Sequence, residues 1–470
     1  MMRVDMDENH SWKCCFLTLY ACCGAMMVFV YDGVVQGQTG VLFPQLQEKD
    51  SAIHLTPDEE TWIASLGVLL APFSALLSGP AVDAFGRKSG LIFFFVCCGV
   101  GFGITACATQ AWHIYMGRTI CGFALGLESV ALVYLVELSV KEYRSLLLGT
   151  TAAIYTVGIL ISNVVGGYLP WYLASGIFSL TSFGFGVVQF FAPESPAWLY
   201  KSGRPDAAVR SLQALGRSPA SVRAELELLE LSARTVSENV SVAVLLEPTV
   251  WKPLLIVSLL LVFQAATGGY QINSYSEDIV QRLGTKYDPL HVSNIMSVVT
   301  AVTNCTLGVY CISYVRRRPA TITLSILVTL ASLGAGIYEL LLRGAPGPFD
   351  WLPIALVAAN LSLGSIVTNI SWVLSGEVFP LRIRGSTTGA IFFVGWGSQS
   401  LAIKLYYASL AALQVSGLCF AYAAGSLCTV LLAVLALPET HNKTLYEVEQ
   451  SFKRRELKGA ETPVRDESNL

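Results

Sequence analysis

The sequence predicts an all-α membrane protein with twelve transmembrane helices in two six-helix halves. Three observations support this prediction. Of the 470 residues, 53% are hydrophobic and only 13% are charged, whereas a soluble domain averages about 25% charged residues. Apolar runs of roughly 20 residues, enough to cross about 30 Å of hydrocarbon as a helix, recur along the whole chain. Short polar motifs also repeat in the same order in the two halves of the sequence.

The apolar runs define the individual spans. Glycine is abundant, with 40 residues, as expected where membrane helices pack closely. The first run is too long for a signal-peptide core, so we expect it to remain as a span. The predicted spans lie near residues 14–35, 61–82, 89–109, 112–136, 146–168, 171–192, 253–279, 291–313, 320–342, 351–374, 386–410 and 416–437.

The distribution of basic residues predicts the orientation. With both termini in the cytoplasm, 24 of the 30 Lys and Arg fall in cytoplasmic segments, four fall outside and two fall within spans. This bias is the usual one for the cytoplasmic side of membrane proteins. We therefore expect an integral, multi-pass protein of the plasma membrane with both termini in the cytoplasm.

An internal repeat divides the chain into two halves. The second and eighth spans are followed by GPAVDAFGRK and SYVRRR, and the sixth and twelfth spans end in PES and PET. At the ends of the fourth and tenth spans, a glutamate precedes an arginine by seven residues. We expect the charged residues of these motifs to form a network at the cytoplasmic face that holds the halves together; the alternative is topogenic charges with incidental acids. The residues are Asp83, Arg87, Lys88, Glu137, Arg144, Glu194, Glu377, Arg384 and Glu439.

The repeat also predicts the domain organisation. Between the halves lies a polar segment with two short amphipathic helices, at 205–216 and 222–232, which is too short for a folded soluble domain. The predicted units are a first half at 1–193, a cytoplasmic linker at 194–252, a second half at 253–437 and a charged cytoplasmic tail at 438–470.

The repeated motifs resemble those of the sugar-porter branch of the major facilitator superfamily. The most specific pieces are Arg118-x3-Gly-x3-Gly, PESPAWL from Pro193 and WVLSGEVFP from Trp372. LFPQL from Leu42, WIAS and Lys404 are most similar to insect-type trehalose and hexose facilitators. The resemblance implies the major facilitator fold and transport of a sugar by alternating access, as facilitated diffusion.

The resemblance also implies the substrate-binding residues. Amides, hydroxyls and one aromatic face suit a sugar, which has a hydroxyl rim and an apolar C–H face. Ala265, Ala152 and Gly395 depart from the family pattern and imply a roomier cavity, while either Tyr270 or Asn273 takes the place of a family asparagine. The alternative for each site residue is a packing role. The implied residues are Gln264, Asn304, Trp372, Gln399 and Asn163, with Tyr275 in closure of the outer end.

Asp32 and Arg118 raise the alternative of proton coupling. Asp32 lies inside or at the outer end of the first span, and Arg118 lies in the fourth. Proton-coupled sugar symporters carry an acid in this region that communicates with a matching arginine, although Val30 departs from their Gly-Tyr-Asp motif. A buried carboxylate near an arginine can gain and lose a proton as water access changes. The other possibility is that Asp32 simply meets outside water.

Other classes of function have less support. The sequence shows no nucleotide-binding loop, metal-ligand spacing or nucleophile–base pair, so we expect no enzyme activity, no cofactor, no metal and no nucleic-acid partner. The expected partners are a small uncharged sugar and the lipid bilayer, and a monomer would suffice for transport. A sugar sensor that signals without transport, and a carrier of another polar solute, remain as alternatives.

Overall fold

The computed structural model describes residues 8–47, 53–139, 144–235, 248–284, 286–342, 349–378 and 384–440, and the elements within these ranges are helices joined by short turns. The first half crosses the bundle six times. Its helices are α1 (Glu8–Gln47), α2 (Pro57–Leu69) with α3 (Ala71–Phe85), α4 (Arg87–Ala106), α5 (Ala111–Leu125) with α6 (Glu128–Leu138), α7 (Arg144–Tyr168) and α8 (Trp171–Phe191).

The linker helices lie at one end of the bundle, which we call the linker end; the opposite end is the distal end. They are α9 (Pro196–Lys201), α10 (Pro205–Ala214) and α11 (Pro219–Thr235). Arg217 donates a hydrogen bond to the Leu138 carbonyl at the end of α6, at 3.0 Å. A Cβ on Gly216 would lie 3.2 Å from the Cα of Cys14 in α1. The linker is therefore packed against the first half.

The second half supplies the other six crossings. Its helices are α12 (Pro248–Ala265) with α13 (Gly269–Ser274) and α14 (Ser276–Arg282), α15 (Pro289–Thr303) with α16 (Val309–Tyr314), α17 (Arg317–Leu342), α18 (Leu352–Glu377), α19 (Arg384–Lys404) and α20 (Tyr406–Leu435). Ten crossings in the described ranges are long and apolar enough to span a membrane. The interrupted seventh and the eleventh, α19, complete the twelve, and the predicted architecture is confirmed.

The first helix is longer than its apolar run. The predicted span ended at residue 35, whereas α1 continues to Gln47. The extension contains amides that are satisfied by neighbouring crossings: Gln38 donates to the Ser175 hydroxyl at 2.9 Å, and Gln45 donates to the Gly166 carbonyl at 2.6 Å. Buried amides with partners are tolerated in a helix bundle, so apolarity alone placed the end of this helix too early.

Glycines bring α1 and α7 into backbone contact. A Cβ on Gly33 would lie 2.1 Å from the Tyr155 carbonyl oxygen, and one on Gly158 would lie 2.1 Å from the Val30 carbonyl oxygen. Because no side chain fits between the two helices at these positions, their backbones pack in direct contact.

The internal repeat appears in the structure as two equivalent helix caps. The Glu194 carboxylate accepts hydrogen bonds from the first two backbone N–H groups of α4, both at 3.1 Å. The Glu439 carboxylate accepts from the first two N–H groups of α17, at 2.9 and 3.3 Å. Free N–H groups and the helix dipole make such a helix start favourable for an anion. The glutamates of the PES and PET motifs therefore have the same role in the two halves, since each caps the start of a helix.

Candidate substrate site

A cavity of about 590 Å³, counting its open mouth, lies between the two halves. Ten of its thirteen described lining residues carry an amide or a hydroxyl group on a largely apolar surface, and none of them is charged. Its shape and composition suit a neutral polar molecule. The lining residues are Tyr155, Thr156 and Ile159 from α7, and Gln264, Gly269, Tyr270, Asn273, Ser297, Thr300, Leu361, Ser365, Thr368 and Asn369 from the second half.

Gln264 lies on the cavity wall, one residue before the end of α12. Its amide is held by two weak contacts: Nε2 lies 3.4 Å from the Thr429 hydroxyl, and Oε1 lies 3.4 Å from that of Thr368. The crossing breaks just beyond it, where Gly268 adopts a left-handed conformation with φ +86°. A buried side chain with long hydrogen bonds beside a helix break is well placed to change partners.

Asn304 lies behind the cavity wall at the start of a π-helical turn, Asn304–Gly308. Its Nδ2 donates to the Ser365 hydroxyl at 2.7 Å, and its Oδ1 accepts from Asn369 Nδ2 at 3.0 Å. Ser365 and Asn369 both line the cavity. Asn304 therefore orients two polar groups of the wall while being itself almost fully buried.

Asn163 joins the two halves. Its Nδ2 donates to the Ser297 hydroxyl of α15 at 2.6 Å, and Ser297 lines the cavity. The Oδ1 of Asn163 is buried without a hydrogen-bond partner. An unpaired buried carbonyl is costly, so this oxygen would gain a hydrogen bond if the wall at Ser297 opened to a substrate hydroxyl.

Trp372 packs beside the cavity in an aromatic cluster. Its ring centroid lies 4.9 Å from that of Phe392 and 5.8 Å from that of Trp396. A Cβ on Gly395 would lie 2.4 Å from the Trp372 ring. The glycine that departs from the family pattern therefore makes room for this indole rather than for substrate.

Gln399 hydrogen-bonds to the first half. Its Nε2 donates to Gln36 Oε1 at 2.5 Å. The same oxygen accepts from the Tyr155 hydroxyl at 3.0 Å, and Gln36 Nε2 donates to Asp32 Oδ1 at 2.8 Å. This chain of hydrogen bonds joins α19 to α1 and reaches the cavity wall at Tyr155.

Aromatic rings close the distal end above the cavity. Tyr275 stacks on Phe43 of the first half, with ring centroids 5.9 Å apart and 18° between planes. On its other side it stacks on Tyr406, at 4.3 Å and 10°. The hydroxyl of Tyr407 donates to Glu60 Oε2 at 2.9 Å, so the first turn of α20 is tied to α2.

Asp32 and Arg118 do not form an ion pair. Arg118 is 2% exposed, and its guanidinium donates to the carbonyls of Val35 and Ile63, at 2.6 and 3.3 Å, and to Gln38 Oε1 at 3.3 Å. Asp32 is 4% exposed, so it lies inside the bundle and away from outside water.

The charged motif residues that the structure describes form contacts within each half. Arg87 lies 3.0 Å from Asp83 and 3.1 Å from Glu137. The Lys88 ammonium lies over the Phe190 ring, 5.1 Å from its centroid. In the second half, Glu439 caps α17. The side chains of Arg144, Glu377 and Arg384 fall outside the described part of the structure, so the predicted link between the halves stays a prediction.

Several wall residues were missed by sequence reasoning. Asn369 of α18 and Tyr155 of α7 line the cavity, and Gln36 connects Tyr155 to Gln399. Amides at membrane depth were the available signal. Tyr270 and Asn273, considered as alternatives, both line the cavity, because they lie three residues apart on one face of α13.

Comparisons with known proteins identify the family of this protein. Residues 17–452 match the family described as Sugar (and other) transporter. The chain therefore belongs to this family, in the sugar-porter branch of the major facilitator superfamily, and is an integral, multi-pass membrane carrier rather than an enzyme.

Two related transporters and one solved structure are similar to this chain over most of its length. The chain is 26% identical to the facilitated trehalose transporter Tret1 of Culex quinquefasciatus, over 96% of this chain and 90% of that protein. It is 27% identical to the major myo-inositol transporter IolT of Bacillus subtilis, over 93% and 95% of the two chains. The inward-open structure of the xylose transporter XylE from E. coli has the same fold, with a TM-score of 0.73 at 18% identity, covering 93% of this chain and 99% of that one.

Proposed function

We propose that this protein carries trehalose or a hexose by facilitated diffusion, through alternating access to the cavity between its halves. The observation that carries the proposal is the cavity lining, in which amides and hydroxyls surround a space without a charged group among its described residues. Such a lining exchanges hydrogen bonds with sugar hydroxyls and offers nothing to an ionic substrate. The similarity to Tret1 supports a sugar as cargo.

The proposed substrate contacts are Gln264, Asn304 and Asn163 around the cavity, with Trp372 and Gln399 beside it and Tyr275 in the distal closure. The charged motif residues are proposed to hold the linker end when the distal end opens. We propose that the linker end and both termini lie in the cytoplasm of the plasma membrane. Antibody detection of epitope tags within 204–240 should then require permeabilised cells, whereas detection of a tag near residue 50 should not. Labelling of a 204–240 tag on intact cells would show that the proposed orientation is wrong.

Uptake by heterologous cells tests the cargo. Cells expressing the protein are given labelled trehalose, glucose, fructose, myo-inositol and an unrelated neutral solute. We expect uptake of a sugar that saturates and is not concentrated against its gradient. Uptake of the unrelated solute alone would contradict the proposal.

Replacement of Gln264 tests the site. An unpaired buried hydrogen-bonding group costs about 1–3 kcal/mol, so Gln264→Ala should weaken apparent affinity by roughly 5- to 150-fold. Gln45→Ala is the matched control, because it removes partly buried amide contacts to the Gly166 and Leu169 carbonyls and to the Trp171 N–H, all away from the cavity. Trp372→Leu should also weaken affinity by removal of its aromatic face. Unchanged sugar uptake in both site variants would show that this cavity is not the sugar-binding site.

Proton-coupled transport is the second candidate function. The observation that favours it is a carboxylate, Asp32, which is buried in the bundle and hydrogen-bonded to Gln36. Gln36 in turn accepts a hydrogen bond from Tyr155 of the cavity wall. Uptake at two external pH values separates the two modes. Accumulation against a gradient at acidic external pH, lost in Asp32→Asn, would replace facilitated diffusion by symport.

A further inference from the structure

Gln36 is the only described residue whose side chain contacts Asp32, Tyr155 and Gln399 at once. Its Nε2 donates to Asp32 Oδ1 at 2.8 Å, and its Oε1 accepts from Gln399 Nε2 at 2.5 Å and from the Tyr155 hydroxyl at 3.0 Å. All four side chains are buried or partly buried. The contacts between Gln36 and Gln399 also cross from the first half to the second.

The hydrogen bonds in this chain have a fixed direction. A carboxylate oxygen accepts, so Gln36 must present its NH₂ group to Asp32. Its carbonyl oxygen therefore faces α19, and Gln399 must in turn present its NH₂ group to Gln36. What remains of the Gln399 amide is its Oε1, which accepts no hydrogen bond from any described residue.

We propose that Asp32 and Gln36 are positioning residues that turn Gln399 so that its carbonyl oxygen, and not its NH₂ group, is offered to the substrate. The carrier would then select, at this point, a sugar hydroxyl that donates a hydrogen bond. The inference rests on the proposed function, because it takes Gln399 as a sugar contact. It adds the chemical character of that contact and the two residues that set it.

Sugar analogues distinguish a donated from an accepted hydrogen bond. A deoxy analogue loses both capacities at one carbon, whereas a fluoro analogue loses the donor and keeps a weak acceptor. If Gln399 offers only its oxygen, one hydroxyl position of the transported sugar should lose affinity equally on deoxy and fluoro replacement. Competition against labelled sugar uptake gives this pattern for the unmodified protein.

Gln36→Leu is the decisive variant. Leucine keeps much of the volume but holds neither orientation of Gln399, so the amide can turn its NH₂ group to the substrate. The fluoro analogue should then bind about twofold or more better than the deoxy analogue at that position, the lower end of a neutral hydrogen bond. Gln399→Leu should abolish the difference, because it removes the contact itself.

Ser400→Ala is the matched control. Ser400 is the next residue on α19, and its hydroxyl donates to the Ser65 carbonyl of the first half at 3.3 Å. The variant therefore removes one contact between the halves without touching the Gln36 chain, and it should keep the unmodified pattern. The same relaxation in Ser400→Ala would mean general loosening and would overturn the proposal.

The remaining outcomes separate the two levels of inference. Sugar uptake that is weakened by Gln264→Ala, with an unchanged analogue pattern in Gln36→Leu, overturns the role of Gln36 alone. Absence of sugar uptake by the unmodified protein overturns the proposed function. If Gln36→Leu does not reach the membrane, Asp32→Asn supplies the same comparison, because an asparagine amide either donates or accepts and no longer fixes Gln36; an unchanged pattern there refutes the proposal.

Discussion

Lys404, at the end of α19, ties the two halves together at the distal end. Its ammonium lies 2.7 Å from Asp58 Oδ1 and 2.8 Å from the Thr61 hydroxyl, both in α2. It also lies 4.1 Å from the ring centroid of Trp62. Lys404→Met keeps the apolar stem of the side chain but removes all three contacts. We expect this variant to spend more time open at the distal end.

The size of the effect follows from the contacts. The Asp58 side chain is 78% exposed, so its ion pair contributes only about 0–1 kcal/mol. The hydrogen bond to Thr61 contributes about 0.5–1.5 kcal/mol, and the cation–π contact with Trp62 about 0.5–1 kcal/mol. Together they stabilise the closed distal end by about 1–3.5 kcal/mol, so Lys404→Met should raise the ratio of open to closed carriers roughly 5- to 400-fold.

Chemical labelling of the cavity measures this ratio. Thr156 lines the cavity, and a Thr156→Cys background carries a thiol that an impermeant reagent reaches from the distal side only when that end opens. Mass spectrometry of the labelled peptide separates this thiol from the native cysteines. The initial labelling rate in intact cells should rise by the same factor in Lys404→Met.

Arg282→Met provides the comparison that could refute this reasoning. Arg282 pairs with Asp278 at 2.7 Å, also near the distal end, but both residues belong to α14. Its loss should leave the labelling rate near that of the Thr156→Cys background. Equal rates in the Lys404 and Arg282 variants would show that the contacts between the halves do not hold the distal end closed.

Two further predictions concern the scaffold. Gly268→Ala should sharply reduce the amount of folded carrier measured by size-exclusion chromatography, because φ is +86° there and a Cβ would lie 2.6 Å from the Tyr422 ring. Gly269→Ala should be tolerated, because nothing lies within 4 Å of its Cβ. Equal losses in the two variants would contradict this account. Glu194→Gln and Glu439→Gln should each lower the heat stability of the carrier, since each loses the charge that caps a helix start, worth about 0.5–2 kcal/mol; an effect in only one would contradict their equivalence.

The twelve crossings were predictable because each must fill about 30 Å of hydrocarbon with apolar side chains. The ends of the helices were less predictable. The stretch after residue 35 lay outside the predicted first span, yet Gln38 and Gln45 find partners on α8 and α7 and the helix continues. Such partners lie more than a hundred positions away in sequence, and no local pattern reports them.

The candidate site was predictable only in part, and for the same reason. Gln264 could be expected near the cavity because the family resemblance implied it as a substrate contact. That Asn304 acts through Ser365 and Asn369, and that Gln399 meets Gln36, depends on which crossings become neighbours. Family resemblance supplied the positions of Asn304 and Gln399, but their partners required the structure.

The two halves share a repeat but contribute differently to the site. The first half lines the cavity through α7 alone, and its crossings pack backbone to backbone, as where a Cβ on Gly122 would lie 2.4 Å from the Leu66 carbonyl oxygen. The second half supplies the rest of the wall, and two of its three contributing crossings, the seventh and the eighth, are interrupted at Gly268 and at the π-helical turn. Interrupted helices bend at lower cost than continuous ones because part of their hydrogen-bond ladder is already open. We therefore expect closure around a substrate to bend the seventh and eighth crossings against the continuous α7 of the first half.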